Sequence, residues 1–394
     1  MDREWREAID MRSSLVNVGL VVVSAALLRY WSLRLGFVSA IETEVVRGAS
    51  QLIRTGSYRP AALTHPTLPL YLHTAVAIVH FLVGAVRGAW TSLADYGPHQ
   101  FVAWGRGFSA FLGTAVVVIV YQIGMRWGAR HALLAAGLMA VTPAHVAVSR
   151  EIGDGSPLVF FSALTLLCSL AAVERGRRRS FIAAGAAAGL AASSHYAGAV
   201  ILIVPLIAGW MTVNDERSRL SRAAWVVTAA VAAFVVTTPL SVRDLPAFLD
   251  GFAAAASPWT AGSTAGAAGA LELMRQLMRA FDWPGMMLVL AGVALAIIRA
   301  ITGPGHSRWT LLVSFPVLYF TVAAWHGFTA DTVLLPLLPA AVVLAANAVI
   351  SGVSLLRRFD IPRAARTTLI AALTVIAVLP PAVHSIALVH RAGR

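Results

Sequence analysis

The sequence contains no lysine and one cysteine, and few of its 394 residues are charged: 12% are Asp, Glu, Lys or Arg, against 58% hydrophobic. So little polar surface excludes a water-soluble globule of this size, which needs charged groups to cover itself. The lone Cys168 sits in an apolar run without a partner in the chain, which excludes a disulfide framework and leaves a packing role. Without lysine, the formal net charge of +13 is all arginine. On a soluble domain that excess would point to nucleic acid. Here the arginines cluster in short connections between apolar runs, as membrane insertion requires, so no nucleic-acid partner is expected.

What is present is a succession of apolar runs of about 18–22 residues, the length that crosses roughly 30 Å of hydrocarbon. They recur from one end of the chain to the other and leave no room for a sizeable soluble domain. We expect an all-α polytopic membrane protein forming one domain over 1–394. The first run, from Leu15 to Leu28, is followed by Arg29, Tyr30 and Trp31 rather than small cleavage-site residues, and reads as an uncleaved anchor. The last run ends close to residue 394, so a further external domain is not expected.

The arginine clusters give a topology. Arg3/Arg6/Arg12, Arg126/Arg130, Arg175/Arg177/Arg178/Arg179, Arg217/Arg219/Arg222, Arg299/Arg308 and Arg357/Arg358/Arg363/Arg366 all belong on the cytoplasmic side. An even number of crossings must then separate neighbouring clusters. Between Arg12 and Arg126 lie three apolar stretches, 14–33, 68–86 and 101–124. Parity is kept if 68–86, interrupted by Pro66, Pro69, His73 and His80, is interfacial or re-entrant. About eleven crossings result, with a cytoplasmic N-terminus in the plasma membrane, a long first external loop over 36–100 and a second over 241–283. Its stretch 251–270, rich in Ala, Gly and Ser, reads as a flexible cover or a spacer. The Ala/Gly-rich stretch 181–199 allows close helix packing, within the chain or between chains.

Most acids accompany the cytoplasmic arginines. Glu42, Glu44, Glu151 and Asp154 instead fall in external loops beside apolar segments, where a carboxylate without a task is costly. Two such loops can frame a cleft, or carry ordinary surface charge. His65, His73, His99, His145, His195 and His326 fall near the same face, but none shows ligand spacing of the HExxH kind, so no metal site is expected from spacing. A divalent metal stays possible. A secondary transporter would show internal repeats and broken helices with mid-membrane polar groups. Neither stands out.

The order of several short motifs resembles the GT-C glycosyltransferases of the protein O-mannosyltransferase and aminoarabinose-transferase type. They are Ile41-Glu42-Thr43-Glu44, Arg54-Thr55-Gly56, His65-Pro66-Thr67-Leu68, Gly105-Arg106 with Ser109 and Gly113, Pro143-Ala144-His145 with Ser149-Arg150 and Asp154, Ser194-His195-Tyr196, Thr237-Thr238-Pro239 with Asp244, and Leu334-Leu335-Pro336. The resemblance implies a sugar transferase at the external face. Its donor would be a sugar on a polyprenyl-phosphate carrier, its acceptor a hydroxyl on protein, lipid or polysaccharide, with membrane lipid around both. Inverting transfer needs a carboxylate to take the acceptor proton and cations to hold the departing phosphate. The resemblance implies Glu42, Glu44 and Asp154 as catalytic candidates. It implies His65, Arg150, His195, Tyr196 and Arg243 as substrate-binding candidates. Three motif positions depart from the family: Ile41 for Asp, His195 for Lys, and Thr332-Val333 for Arg-Tyr. They leave open a second reading, a non-catalytic subunit of a cell-envelope assembly on the same scaffold.

Overall fold

The computed structural model describes residues 3–33, 40–57, 64–212, 215–260, 266–303, 305–326, 331–356, 358–359 and 362–392. Among them there is no strand. The elements follow as α1 (Arg3–Tyr30), α2 (Ala40–Thr55), α3 (Leu68–Val86), α4 (Val102–Gly124), α5 (Ala129–Val141), α6 (Pro143–Val148), α7 (Gly155–Arg175) and α8 (Arg178–Ser194). After a 3-10 stretch, Tyr196–Leu202, come α9 (Ile203–Met211), α10 (Glu216–Thr237), α11 (Leu240–Arg243), α12 (Leu245–Thr260), α13 (Ala267–Thr302), α14 (His306–His326), α15 (Leu338–Leu356) and α16 (Arg363–Ala392).

Eight described helices are long and apolar enough to cross a bilayer. Large apolar side chains stay exposed on these helices and on α1: Leu20, Val23 and Leu27 on α1, Val231 on α10, Ile298 and Ile301 on α13, Leu379 and Val383 on α16. A multi-pass membrane protein presents such a surface to lipid. These eight, counted among the described residues by length and composition, leave the expected count of about eleven unconfirmed, and two of the apolar runs are divided. The run 131–149 breaks at Thr142, where Pro143 starts a new helix, and α5 alone is 13 residues long. At 1.5 Å per residue that is about 20 Å, short of a crossing. The run 198–213 likewise begins as 3-10 helix before the nine residues of α9.

Two further expectations change. The stretch 68–86 is an uninterrupted helix of 19 residues, because its proline stands in the first turn, where no backbone N–H is needed. It meets the length and composition of a span. On α4, its ring contacts, His73 with Phe108 and His80 with Trp104, nevertheless fall on the first turns. The second long loop is no spacer: 245–260 and 267–281 are helical, while 261–265 lies outside the described residues.

The core is built around α15, whose residues from Leu338 to Val349 are all buried. It packs on α13 so closely that a Cβ on Gly292 would meet the Leu344 carbonyl oxygen at 2.1 Å. The Ala/Gly-rich stretch is used within the chain: Cβ atoms on Gly185 and Gly189 of α8 would meet the Val226 and Ala230 oxygens of α10 at 2.3 and 2.2 Å. At one end of the bundle Glu174 pairs with Arg126 and, at 3.2 Å, with Arg308, which gathers three basic connections. The opposite end of α7 carries Asp154, with His65 and His195 beside it.

Candidate functional site

Asp154 precedes the first residue of α7, a position where an aspartate normally accepts a bond from the helix's own N–H groups. It makes no such bond. Its carboxylate turns instead towards two histidines, with Oδ2 3.9 Å from His65 Nδ1 and 4.0 Å from His195 Nε2. Asp154 is 8% exposed. Both separations exceed a direct hydrogen bond. His65 reaches the cluster from the segment before α3 and is half exposed, at the mouth of the site. His195 comes from the break between α8 and the 3-10 stretch, where its extended backbone ends the helix. Its Nδ1 accepts the N–H of Ala197 at 3.1 Å.

A hydroxyl knot fixes this break. Ser193 Oγ lies 2.5 Å from Thr238 Oγ1 and accepts from Thr237 Oγ1 at 2.7 Å, while Thr67 Oγ1 donates to the Thr237 carbonyl at 2.9 Å. The segments carrying His65 and His195 are thereby tied to the end of α10. Tyr196, beside His195, is buried edge-on against Phe248 and Phe252 of α12.

The other sequence candidates have different surroundings. Glu42 is fully buried and holds Arg106 of α4 through Oε1 and Oε2 at 2.8 and 2.7 Å. Oε1 also accepts the Ile152 N–H at 2.8 Å, so this carboxylate ties α2 to α4 and to the turn before Asp154. Glu44 is exposed, two residues and about 200° further round α2, away from the buried stripe of Glu42, Val46 and Ala49. Ile41, where the family pattern has Asp, is 42% exposed. Arg150 spends Nη1 on carbonyls at the end of α1 and just beyond it, those of Leu28, Arg29 and Trp31 at 3.0, 3.3 and 2.7 Å. Burial lowers its pKa, and the Arg106 charge lowers it further. Arg243 is exposed at the end of α11, five residues beyond Thr238, without a partner among the described residues.

Sequence reasoning did not foresee the interior pairing of Arg29. Its fully buried guanidinium donates to the Ala25, Ala140 and Met139 carbonyls and contacts His145 Nδ1 at 2.7 Å. An arginine at the end of an apolar run was the available signal.

The cluster has two chemical capacities. His65, Asp154 and His195 each offer one ligand atom, all within 4.8 Å of one another, a set that can hold a cation. Equally, Asp154 can take a proton from a hydroxyl brought between it and the histidines. Burial lowers the His195 pKa; the Asp154 charge partly offsets this and His65 adds to it. His195 is therefore neutral near pH 7.

The profile of the dolichyl-phosphate-mannose-protein mannosyltransferase family matches residues 100–242. No curated protein matches the sequence. The apo oligosaccharyltransferase of Archaeoglobus fulgidus superposes with a TM-score of 0.65 at 14% identity, over 96% of this chain and 56% of that one. The same enzyme with an inhibitory peptide and a dolichol-phosphate gives 0.62 at 13%, over 98% and 56%. ArnT from Cupriavidus metallidurans, bound to undecaprenyl phosphate, gives 0.63 at 15%, over 96% and 75%. The chain thus spans about half the length of the archaeal relative. These likenesses show the fold: this chain is built as the archaeal oligosaccharyltransferase and ArnT are, a fold its motif order led us to expect.

Proposed function

We propose that the protein is a glycosyltransferase that moves a sugar from a polyprenyl-phosphate carrier to a hydroxyl acceptor at the external face of the plasma membrane. The observation that carries this reading is Asp154, a buried carboxylate turned away from its own helix towards two histidines. A burial of that kind is costly unless the carboxylate has a task or a bound partner. The fold matched to an enzyme bound to undecaprenyl phosphate supports the carrier class. The orientation rests on the arginine clusters, three of which meet at the end opposite Asp154. It gives a cytoplasmic N-terminus, and α3, whose ring contacts on α4 fall on its first turns, lies along the outer interface.

In this reading Asp154 is the general base. As the acceptor oxygen attacks C1 of the sugar, its proton passes to Asp154, and the C1–O bond breaks with its electron pair leaving on the carrier phosphate. Arg243 neutralises that phosphate, since Arg150 is engaged by the end of α1 and Arg106 by Glu42. Glu42 holds the frame rather than the proton, and Glu44 has no part in the step. Tyr196 braces α12 beside the site.

One observation favours a second reading, a non-catalytic subunit on the same scaffold: Ile41 stands, exposed, at the family's acidic position, and the neighbouring Glu42 is neutralised. Purified protein in lipid, given a panel of polyprenyl-phosphate sugars, separates the two. Release of free polyprenyl phosphate supports the transferase; binding without release across the panel supports the subunit. Absence of binding contradicts both.

A further inference from the structure

The gap between Asp154 and the two histidines is itself informative, because each possible occupant has its own bond lengths. A metal bound at about 2.1 Å to both Asp154 Oδ2 and His195 Nε2, which are 4.0 Å apart, would subtend ~145°, well beyond the ~109° of a tetrahedral site. A single oxygen atom at hydrogen-bond distance, about 2.8 Å from each, would subtend ~90°, which hydrogen bonding tolerates. The separation to His65, 3.9 Å, leads to the same result.

The second observation is independent of those distances. Ala197 donates its backbone N–H to His195 Nδ1, so in neutral His195 the ring proton sits on Nε2. The nitrogen that faces Asp154 is therefore a donor. Ligating a metal through Nε2 would require the opposite tautomer and the loss of the Ala197 bond. Metal-binding histidines usually have the reverse arrangement, with the distal nitrogen donating.

We infer that Asp154 and His195 form a seat for one hydroxyl oxygen of the acceptor, which receives the Nε2–H of His195 and gives its own proton to Asp154. The inference rests on the transferase reading and deepens it: the acceptor presents an alcohol, and the site needs no metal ion to hold it. His195 touches the reacting oxygen without exchanging a proton with it. The hydrogen bond orients an oxygen lone pair towards C1, while Asp154 carries the proton away. His65, half exposed, lines the entrance through which the hydroxyl arrives. Ser193 and Thr238 hold the His195 backbone where Ala197 can set the tautomer.

Two measurements on the full-length protein test this without needing turnover. The first is the ring ¹⁵N spectrum of histidine-labelled protein at pH 7.5, with His195 assigned by its loss in His195→Gln. A protonated Nε2 and an unprotonated Nδ1 support the seat, and the opposite tautomer overturns it. The second is Zn²⁺ and Mn²⁺ uptake by the wild type and Asp154→Asn. Equal uptake supports the seat, whereas one equivalent present in the wild type and missing in Asp154→Asn overturns it in favour of a metal centre. Failure to turn over any donor would defeat the transferase reading, and the seat as an acceptor site with it, whereas the opposite tautomer or a bound metal would overturn the seat and leave the transferase reading standing.

Discussion

Glu42 and Arg106 are joined by two charge-assisted hydrogen bonds of 2.8 and 2.7 Å inside the protein, and a third bond from Ile152 occupies the same carboxylate. Breaking such a pair from one side leaves an uncompensated buried charge, at a cost of roughly 3–5 kcal/mol. Glu42→Ala should therefore lower the melting temperature sharply, and Glu42→Ala combined with Arg106→Met should recover part of the loss. Thermal unfolding in detergent, followed by size-exclusion chromatography, measures both. A Glu42→Ala protein of wild-type stability would contradict a structural role.

Arg150 and Arg243 separate by the same logic. Arg150 caps α1 through three carbonyls, so Arg150→Met should destabilise the protein by about 1–3 kcal/mol, the cost of leaving buried acceptors unpaired. Arg243 is exposed and unengaged, so Arg243→Ala should leave stability unchanged and weaken binding of the lipid phosphate by about tenfold. Thermal shifts and lipid-phosphate binding measured on the two variants check the division. Reversed effects would make Arg150 the phosphate ligand.

The close approach of α8 to α10 sets a third expectation. A Cβ on Gly189 would fall 2.2 Å from the Ala230 carbonyl oxygen, a rigid backbone atom that cannot give way. Gly189→Val should drive the helices apart and disturb the Ser193–Thr238 contact one turn further on. Overpacking costs about 1–3 kcal/mol. Gly137→Ala, at a glycine where nothing lies within 4 Å, should be silent. Yield and melting temperature distinguish the two.

Stability should also fall on mild acidification. Burial lowers the pKa of both His195 and His145 below the usual histidine value, with Arg29 depressing His145 further. Such groups bind more protons unfolded than folded, so their contribution is intact above the unfolded pKa of about 6.5 and is lost as pH drops below it. The melting temperature should be level between pH 7 and 8 and decline from pH 6.5 towards 5. His195→Gln should reduce the slope of that decline. A flat profile would mean that neither histidine is held neutral.

Much of this architecture was legible in the sequence because membrane insertion writes itself into composition. Apolar runs give helices, and the arginines between them give the end at which Arg126, Glu174 and Arg308 meet. The division of two of those runs was not legible, since Pro143 breaks one and a 3-10 stretch opens another, and neither changes hydrophobicity. Motif order located Asp154, His65 and His195, which the structure brings together. It did not rank them against Glu42, because an acid that reads as catalytic and one that anchors a helix are the same residue type. Only the partner, Arg106, 64 residues away, distinguishes them. The Ala197 bond that sets the His195 tautomer leaves no trace in a side chain at all.

The most direct test of the central claim compares wild type, Asp154→Asn, Glu44→Gln and Arg243→Ala in a single assay, the release of free polyprenyl phosphate from a polyprenyl-phosphate sugar that the wild type uses. With Asp154 as base, Asp154→Asn should fall by about 10²–10⁴ in kcat while still binding the donor and remaining folded. Glu44→Gln should stay near the wild-type rate. An Asp154→Asn protein that turns over normally would contradict the account, and a loss confined to Glu44→Gln would move the base to the far face of α2.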